Sequence, residues 1–340
     1  MMKNVFIKNI QANTLVQDLF LIVSANLAQA KNGPYWQLTL QDKTGQIEAR
    51  IWSPASQNYS NLTPGQIVLI KATAQSYNQQ VQLNIDSLQP ISPEQIDLLE
   101  FVPSTSTPPE QLYQEIINLI DQEISFSVWQ KIFKSVYTNP EIKEKLLSAL
   151  GAKKIHHAYV GGLLEHTLAV CRICLSLSKL YPQVDKEILL LAASVHDLGK
   201  IYEISMDFGH EYTDPGKLLG HIFLGLEKLQ PFLQPYEQDP KTKDLILHLK
   251  HIILSHHGEL DFGSPKQPQT IEAMLLHFAD NIDAKVNSMQ ASIDNVSNPN
   301  NNWTEYNRAL QRYVYVPNQT PTTNSRHQPK EKLCSLPLKE

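Results

Sequence analysis

No stretch of the chain comes near the roughly 18 consecutive apolar residues that would suggest a membrane span; the longest apolar runs, such as 188–195, fall far short. A membrane is thereby excluded as its home. The opening MMKNVFIKNIQ lacks the apolar core of roughly 7 to 15 residues and the small-residue cleavage site of an export signal, so a cytoplasmic protein is expected. Cysteine is scarce, three in 340 residues, which fits a reducing compartment. Cys171 and Cys174 form a CxxC, but AVCRICLSL has a helical pattern and no second CxxC completes a zinc knuckle, so ordinary helix packing is expected. Net positive charge is lacking too. At −5 the chain has no general attraction for a polyanion, and any such ligand must be held locally. Histidine is missing from the first part of the chain: all twelve lie at or after His156, and eleven fall between His156 and His277. Chemistry is therefore expected in the second half.

What is present is an ordinary globular composition, 42% hydrophobic and 19% charged, in a chain long enough for two domains. From 19 to 88 the pattern alternates. YWQLTLQD places Trp36, Leu38 and Leu40 on one face and Tyr35, Gln37 and Thr39 on the other. After a turn at 42–45, QIEARIW buries Ile47, Ala49 and Ile51 and exposes Glu48, Arg50 and Trp52. QIVLIKATA and QVQLNID, separated by a turn near 77–79, add two more strands. Five short strands in about 70 residues predict a small closed barrel of the OB type. Its exposed aromatics are either incidental, or Tyr35 and Trp52 with Arg50 and Lys71 form a platform on which bases of a single strand stack.

The proline-rich stretch 90–109 reads as a linker. From 110 the period becomes helical: QLYQEIINLIDQ, FSVWQKIFKSVY, then a helix opening after Asn139-Pro140. No strand pattern follows to about 284, so the second domain is expected to be all-α and the whole multidomain α+β. WTEYNRALQRYVYV, after the polar SNPNNN, predicts one last helix, and 317–340 a disordered tail.

HDLGK follows KEILLLAASV, which puts His196 and Asp197 at the inner end of a helix buried nearly all round. A buried carboxylate costs several kcal/mol unless it is compensated, and coordination to a cation is one way to do so. An HD dipeptide alone is weak evidence. GGLLEHT adds His166, GHIFLG His221, SHHGE His256 and His257, and LHFADNIDAK Asp280, each in or beside an apolar helical stretch. Any one of these histidines is readily explained as a hydrogen-bonded core residue; all of them together are not.

In this order the motifs resemble the HD phosphohydrolase superfamily, specifically its members with a two-metal site. By that resemblance His166, His196, Asp197 and Asp280 would hold one metal and Asp197, His221, His256 and His257 the other, with Asp197 bridging. The mixed imidazole and carboxylate set suits Mn²⁺, Fe²⁺, Co²⁺ or Zn²⁺ better than Mg²⁺, with Mn²⁺ preferred. Two such cations would activate water against phosphorus and stabilise the leaving oxygen. Lys200, three positions after Asp197, either neutralises phosphate charge or is a simple helix-end lysine. His156 and His157 in KKIHHAYVGG are candidate substrate contacts, and His277, one turn before Asp280, is read as supporting or core.

With the OB-like segment, the connector EFVPSTST and the helical bridge ahead of HHAYVGGLLEHT, HDLGK, LLGHIFLG, LSHHGELDFGSPKQP and EAMLLHFADNIDAK, the chain from about 18 to 316 resembles the YhaM-type 3′→5′ exoribonuclease family. The resemblance implies an OB-fold nucleic-acid-binding domain at 1–89, bridging helices at 110–150 and an HD phosphohydrolase domain at 151–316. It also implies stepwise release of nucleoside 5′-monophosphates from single-stranded RNA, with DNA as a further substrate, while the barrel grips the strand. An acidic chain with few barrel cations fits short oligonucleotides better than long RNA. Two alternatives stay open: a nucleotide or cyclic-dinucleotide phosphohydrolase whose barrel senses or assembles, and a non-catalytic RNA-binding protein, against which the complete ligand set speaks. Association into a homo-oligomer is also open.

Overall fold

A computed structural model describes residues 3–77, 80–92, 96, 100–102, 105, 107–149, 159–205, 212–294, 296 and 302–317. They divide into two compact units, one within 1–104 together with Ser205 and the other made of 105–204 and the described residues from 212 onward.

The first unit is a closed barrel of five strands, β1 (Leu15–Ala30), β2 (Gly33–Asp42), β3 (Gly45–Ile51), β4 (Ile67–Tyr77) and β5 (Gln80–Ile91). Their order is β1-β2-β3-β5-β4, antiparallel except for the short parallel β3–β5 pairing that joins Ala49 to Leu83 and Arg50 to Asn84. The period-2 alternation decides which side chains enter. Trp36, Leu38, Leu40, Ile47, Ala49 and Ile51 pack with Phe20, Val68, Ile70 and Leu83 inside, while Glu48 and Trp52 face out. β5 runs on through Pro90 to Ile91, into the stretch read as a linker. Phe101, from the same stretch, is fully buried against Leu19, Leu21 and Ile67. An aromatic ring gains enough from burial to dock even where the surrounding composition is that of a connector.

The second unit is helical: α1 (Pro109–Glu123), α2 (Ser127–Tyr137), α3 (Pro140–Ser148), α4 (Gly162–Leu180), α5 (Lys186–Val195), α6 (Lys200–Glu203), α7 (Asp214–Glu237), α8 (Lys243–Leu254) and α9 (Ile271–Asp294). Asn139 caps α3 by accepting from the Ile142 N–H at 3.1 Å, and Asp185 caps α5 by accepting from Glu187 and Ile188. The eight residues from Ile188 to Val195 are all buried, because α5 packs on α4, α8 and α9 at once. Cys171 and Cys174 are free thiols inside α4, as helix packing required. Among the described residues no helix is long and apolar enough to cross a membrane.

The helix expected over 303–316 does not form. Trp303 bridges Tyr315 and Asn307 bridges Arg312 in antiparallel register. Cross-strand aromatic pairs follow, Trp303 on Tyr315 at 5.0 Å and Tyr306 on Tyr313 at 5.2 Å between centroids. Aromatic and β-branched residues favour paired extended chain. The Asn307 side chain sets the turn, accepting from the Leu310 N–H and donating to Ser292 Oγ at 2.7 Å. From 318 on, the tail expected to be disordered lies outside the described residues.

Candidate metal centre

A helix buried on all sides must end inside the protein, and α5 delivers His196 and Asp197 there, 1% and 3% exposed. The close-packed turn that follows depends on Gly199: a Cβ on it would stand 1.8 Å from the His221 carbonyl oxygen. α7 is broken at Gly220, whose φ of 72° is open to glycine at low cost, so that His221 heads the helix that continues. The turn after α8 presents His256 and His257, α4 presents His166, and α9 presents Asp280.

Asp197 is the hub. Its Oδ2 lies 3.4 Å from the Nε2 of both His166 and His196, and its Oδ1 lies 3.4 Å from His221 Nε2 and 3.7 Å from His256 Nε2. Asp280 Oδ1 stands 3.2 Å from His166 Nε2. Two groups of donors result, His166, His196 and Asp197, and His221, His256 and His257, with the ligand atoms in each lying within 4.8 Å of one another.

The opposite ring nitrogens fix which atoms are available. Nδ1 of His196, His256 and His257 donates to the carbonyls of Ala193, Ile253 and Phe262 at 2.8, 2.7 and 2.9 Å. His166 Nδ1 is held by Asp283 Oδ2 at 2.6 Å, and His221 Nδ1 by Glu203 Oε1 at 3.3 Å. In the neutral imidazoles this leaves Nε2 as a lone pair. Nε2 of His196, His221 and His256, and Oδ1 of Asp197, are buried without a hydrogen-bond partner among the described residues.

Converging buried lone pairs are costly unless something electrophilic sits among them. Bonds of roughly 2.0–2.2 Å to a common ion place neighbouring donors about 3 to 3.5 Å apart, close to the separations found. The residues therefore fit a divalent metal. Electrostatics agree. Burial opposes charge on Asp197, but Lys200 and His196 outweigh it and hold the carboxyl well below its usual range. Burial likewise opposes a charged His166, yet Asp197, Asp280 and Asp283 hold its pKa well above normal; a proton there occupies the place suited to a cation. Burial pushes His256 and His257 down, toward the neutral, ligating form.

Lys200 Nζ contacts Asp197 Oδ2 at 2.7 Å, so its charge is engaged by the hub. His277 donates from Nδ1 to the His256 carbonyl at 2.9 Å and buttresses that turn. His156 and His157 lie outside the described residues. Asp283 and Glu203, the carboxylates behind His166 and His221, escaped the sequence reading. The only available signal was their spacing, three residues after Asp280 and three after Lys200.

On the barrel, Tyr35 and Trp52 stack with centroids 4.6 Å apart, and the Arg50 guanidinium lies 5.5 Å from both the Trp52 and the Tyr77 ring centroids. Trp52 is 39% exposed, and its Nε1 donates to Asn84 Oδ1 at 3.2 Å. Tyr77 joins the cluster, although the sequence reading, which named Tyr35, Trp52, Arg50 and Lys71, did not include it. Lys71 does not join it. It is exposed on β4 opposite Gln17 and Ser87, six residues before Tyr77 and so about 20 Å away along the strand at about 3.3 Å per residue.

Compared with known proteins, residues 163–285 match the HD domain family and residues 22–91 the OB-fold nucleic acid binding domain family. The 3′-5′ exoribonuclease YhaM of Shouchella clausii is 35% identical over 292 residues, covering 85% of this chain and 90% of that protein. YhaM of Bacillus subtilis is 32% identical over 283 residues, covering 83% and 88%. YhaM of Halalkalibacterium halodurans is 33% identical over 288 residues, covering 84% and 88%.

Proposed function

The chain belongs to the YhaM family of 3′-5′ exoribonucleases and is a metal-dependent hydrolytic nuclease, and on that premise we propose that its HD-type site works with two divalent cations, Mn²⁺ foremost. His166, His196, Asp197 and Asp280 would hold one, and Asp197, His221, His256 and His257 the other. When bound, such cations acidify water and offset charge on a phosphate under attack.

The protein's own groups do the holding. Asp197 turns one oxygen to each donor group and Lys200 balances its charge. The carbonyls of Ala193 and Ile253 keep His196 and His256 in the ligating tautomer, while Asp283 and Glu203 orient His166 and His221. The substrate is single-stranded RNA, with DNA as a second substrate, shortened from its 3′ end to nucleoside 5′-monophosphates. The Tyr35–Trp52 stack with Arg50 and Tyr77 grips bases through their π-faces, which every base shares. A domain limit of 151–316 for the HD domain belongs to the same reading, while the barrel's last strand carries its limit past 89 to Ile91.

The observation that carries it is the convergence of buried, unpartnered Nε2 atoms of His196, His221 and His256 with Oδ1 of Asp197. It is tested by incubating 5′-labelled single-stranded RNA and DNA with the protein in Mn²⁺, Mg²⁺ or EDTA. A ladder shrinking from the 3′ end in Mn²⁺, absent in EDTA and with Asp197→Ala, supports the proposal. An intact oligonucleotide beside hydrolysis of a free nucleotide overturns it.

A further inference from the structure

Beside the ligand cluster lies a cleft of about 340 Å³, part of whose wall the chemistry above leaves unused. Asp197, Lys200, His257 and Asp280 open onto it, and Phe262, Asn281, Lys285 and Leu310 are among the residues that line the rest. Clefts of roughly 300 Å³ and more take ligands of nucleotide size. Phe262 is 61% exposed, although its carbonyl is fixed by accepting the His257 Nδ1 proton at 2.9 Å. An open aromatic face is thus tied at a set position to a ligand of the metal centre. Asn281 and Lys285 lie one turn apart on α9, and among the described residues no carboxylate pairs with Lys285. From Asp280 to Lys285 the helix advances about 7.5 Å, of the order of one nucleotide of extended strand. Leu310, brought in by the turn of the 302–317 hairpin, adds a second apolar wall.

A π-face and two hydrogen-bond donors next to a phosphate-cleaving centre match the parts of a nucleoside: a base to stack and ribose hydroxyls to accept. We propose that this cleft seats the 3′-terminal nucleoside, with Phe262 stacked on the base and Asn281 and Lys285 donating to the ribose oxygens; this rests on the exonuclease reading above.

A single-stranded RNA with 2-aminopurine as its 3′-terminal base tests the assignment. Bound in EDTA, the probe is quenched by stacking in the wild type; Phe262→Ala loses the quench and Phe262→Trp keeps it. In Mn²⁺, Phe262→Ala and Lys285→Ala each raise KM for this RNA about tenfold at near-constant kcat. Both leave hydrolysis of bis(p-nitrophenyl) phosphate, which carries no nucleoside and reports an intact fold, within about twofold. Wild-type quench and KM in the variants overturn the assignment. So does equal loss on both substrates, which would confine Phe262 to supporting His257. Quench that depends on Phe262 without any shortening of the RNA upholds the seat and removes the exonuclease reading.

Discussion

Asp283 Oδ2 on α9 stands 2.6 Å from Nδ1 of His166 on α4, 117 residues away in sequence, and so turns the other nitrogen of that ring toward Asp197 and Asp280. Partners behind a ligating imidazole set its direction and basicity, and their loss costs roughly 10- to 100-fold in metal affinity or activity. Asp283→Ala is therefore expected to raise the Mn²⁺ concentration giving half-maximal nuclease activity by that factor, with Asp283→Asn in between. A Mn²⁺ titration identical to the wild type would show that Asp283 does not orient His166.

The Gly199 position gives a stability prediction. A Cβ there meets backbone, the His221 carbonyl oxygen at 1.8 Å and the Gly225 nitrogen at 2.6 Å, and neither is a flexible side-chain end. Gly199→Ala should destabilise the helical unit by on the order of 3 kcal/mol, since the turn after α5 and the start of the second half of α7 must part. Urea denaturation followed by far-UV circular dichroism measures this. An unchanged midpoint contradicts the packing described.

For the barrel, Trp52→Ala removes one ring of the stacked pair and should weaken single-stranded RNA binding by about 1 to 3 kcal/mol. Lys71→Ala should change it by less than about 1 kcal/mol, the worth of a single exposed charge contact. Fluorescence anisotropy at one fixed salt concentration compares them, salt being held constant because phosphate contacts depend on it. A larger loss from Lys71→Ala than from Trp52→Ala would move the binding face away from the Tyr35–Trp52 stack, toward Lys71 on β4.

Burial pushes the Cys171 thiol up to about 12 and the Cys174 thiol well above its usual range. At pH 8 both are protonated in the folded protein, and the thiolate is the reactive form. Iodoacetamide should label neither until denaturant is added, as read by mass spectrometry of peptides from α4. Rapid native labelling at either position would mean that the helix opens there.

Much of this was legible in the sequence because it depends on local period. Trp36, Leu38 and Leu40 alternate with polar neighbours, and only a sheet places such residues on one side. The candidate ligands were legible as a set because histidine and aspartate are out of place in apolar helices, so that seven such positions call for one shared cause. What failed was the segment 302–317. Trp303, Tyr306, Leu310 and Tyr313 are spaced three, four and three residues apart, as a helix requires, yet Tyr313 and Tyr315 also alternate as a strand does. The cross-strand aromatic pairs and Asn307's bonds to α9 decided between them, and those are contacts a local window does not contain. Asp283 and Glu203 were missed for a related reason: acidic residues on helices are common, and only the fold aims these two at His166 and His221. Lys71 was read as a neighbour of Arg50 on the platform, whereas it lies six residues before Tyr77 on β4, the strand position that reaches Arg50.

The central claim is that Asp197, with its oxygens shared between two sets of imidazoles, organises a two-cation site. The most direct measurement is the number of Mn²⁺ ions bound per chain, by equilibrium dialysis and elemental analysis, for the wild type and for His256→Ala. The account predicts two for the wild type and one tightly held ion for His256→Ala, which removes a ligand of one cation and leaves His166, His196, Asp197 and Asp280 intact. No bound metal in the wild type, or the wild-type number and affinity in His256→Ala, would contradict it.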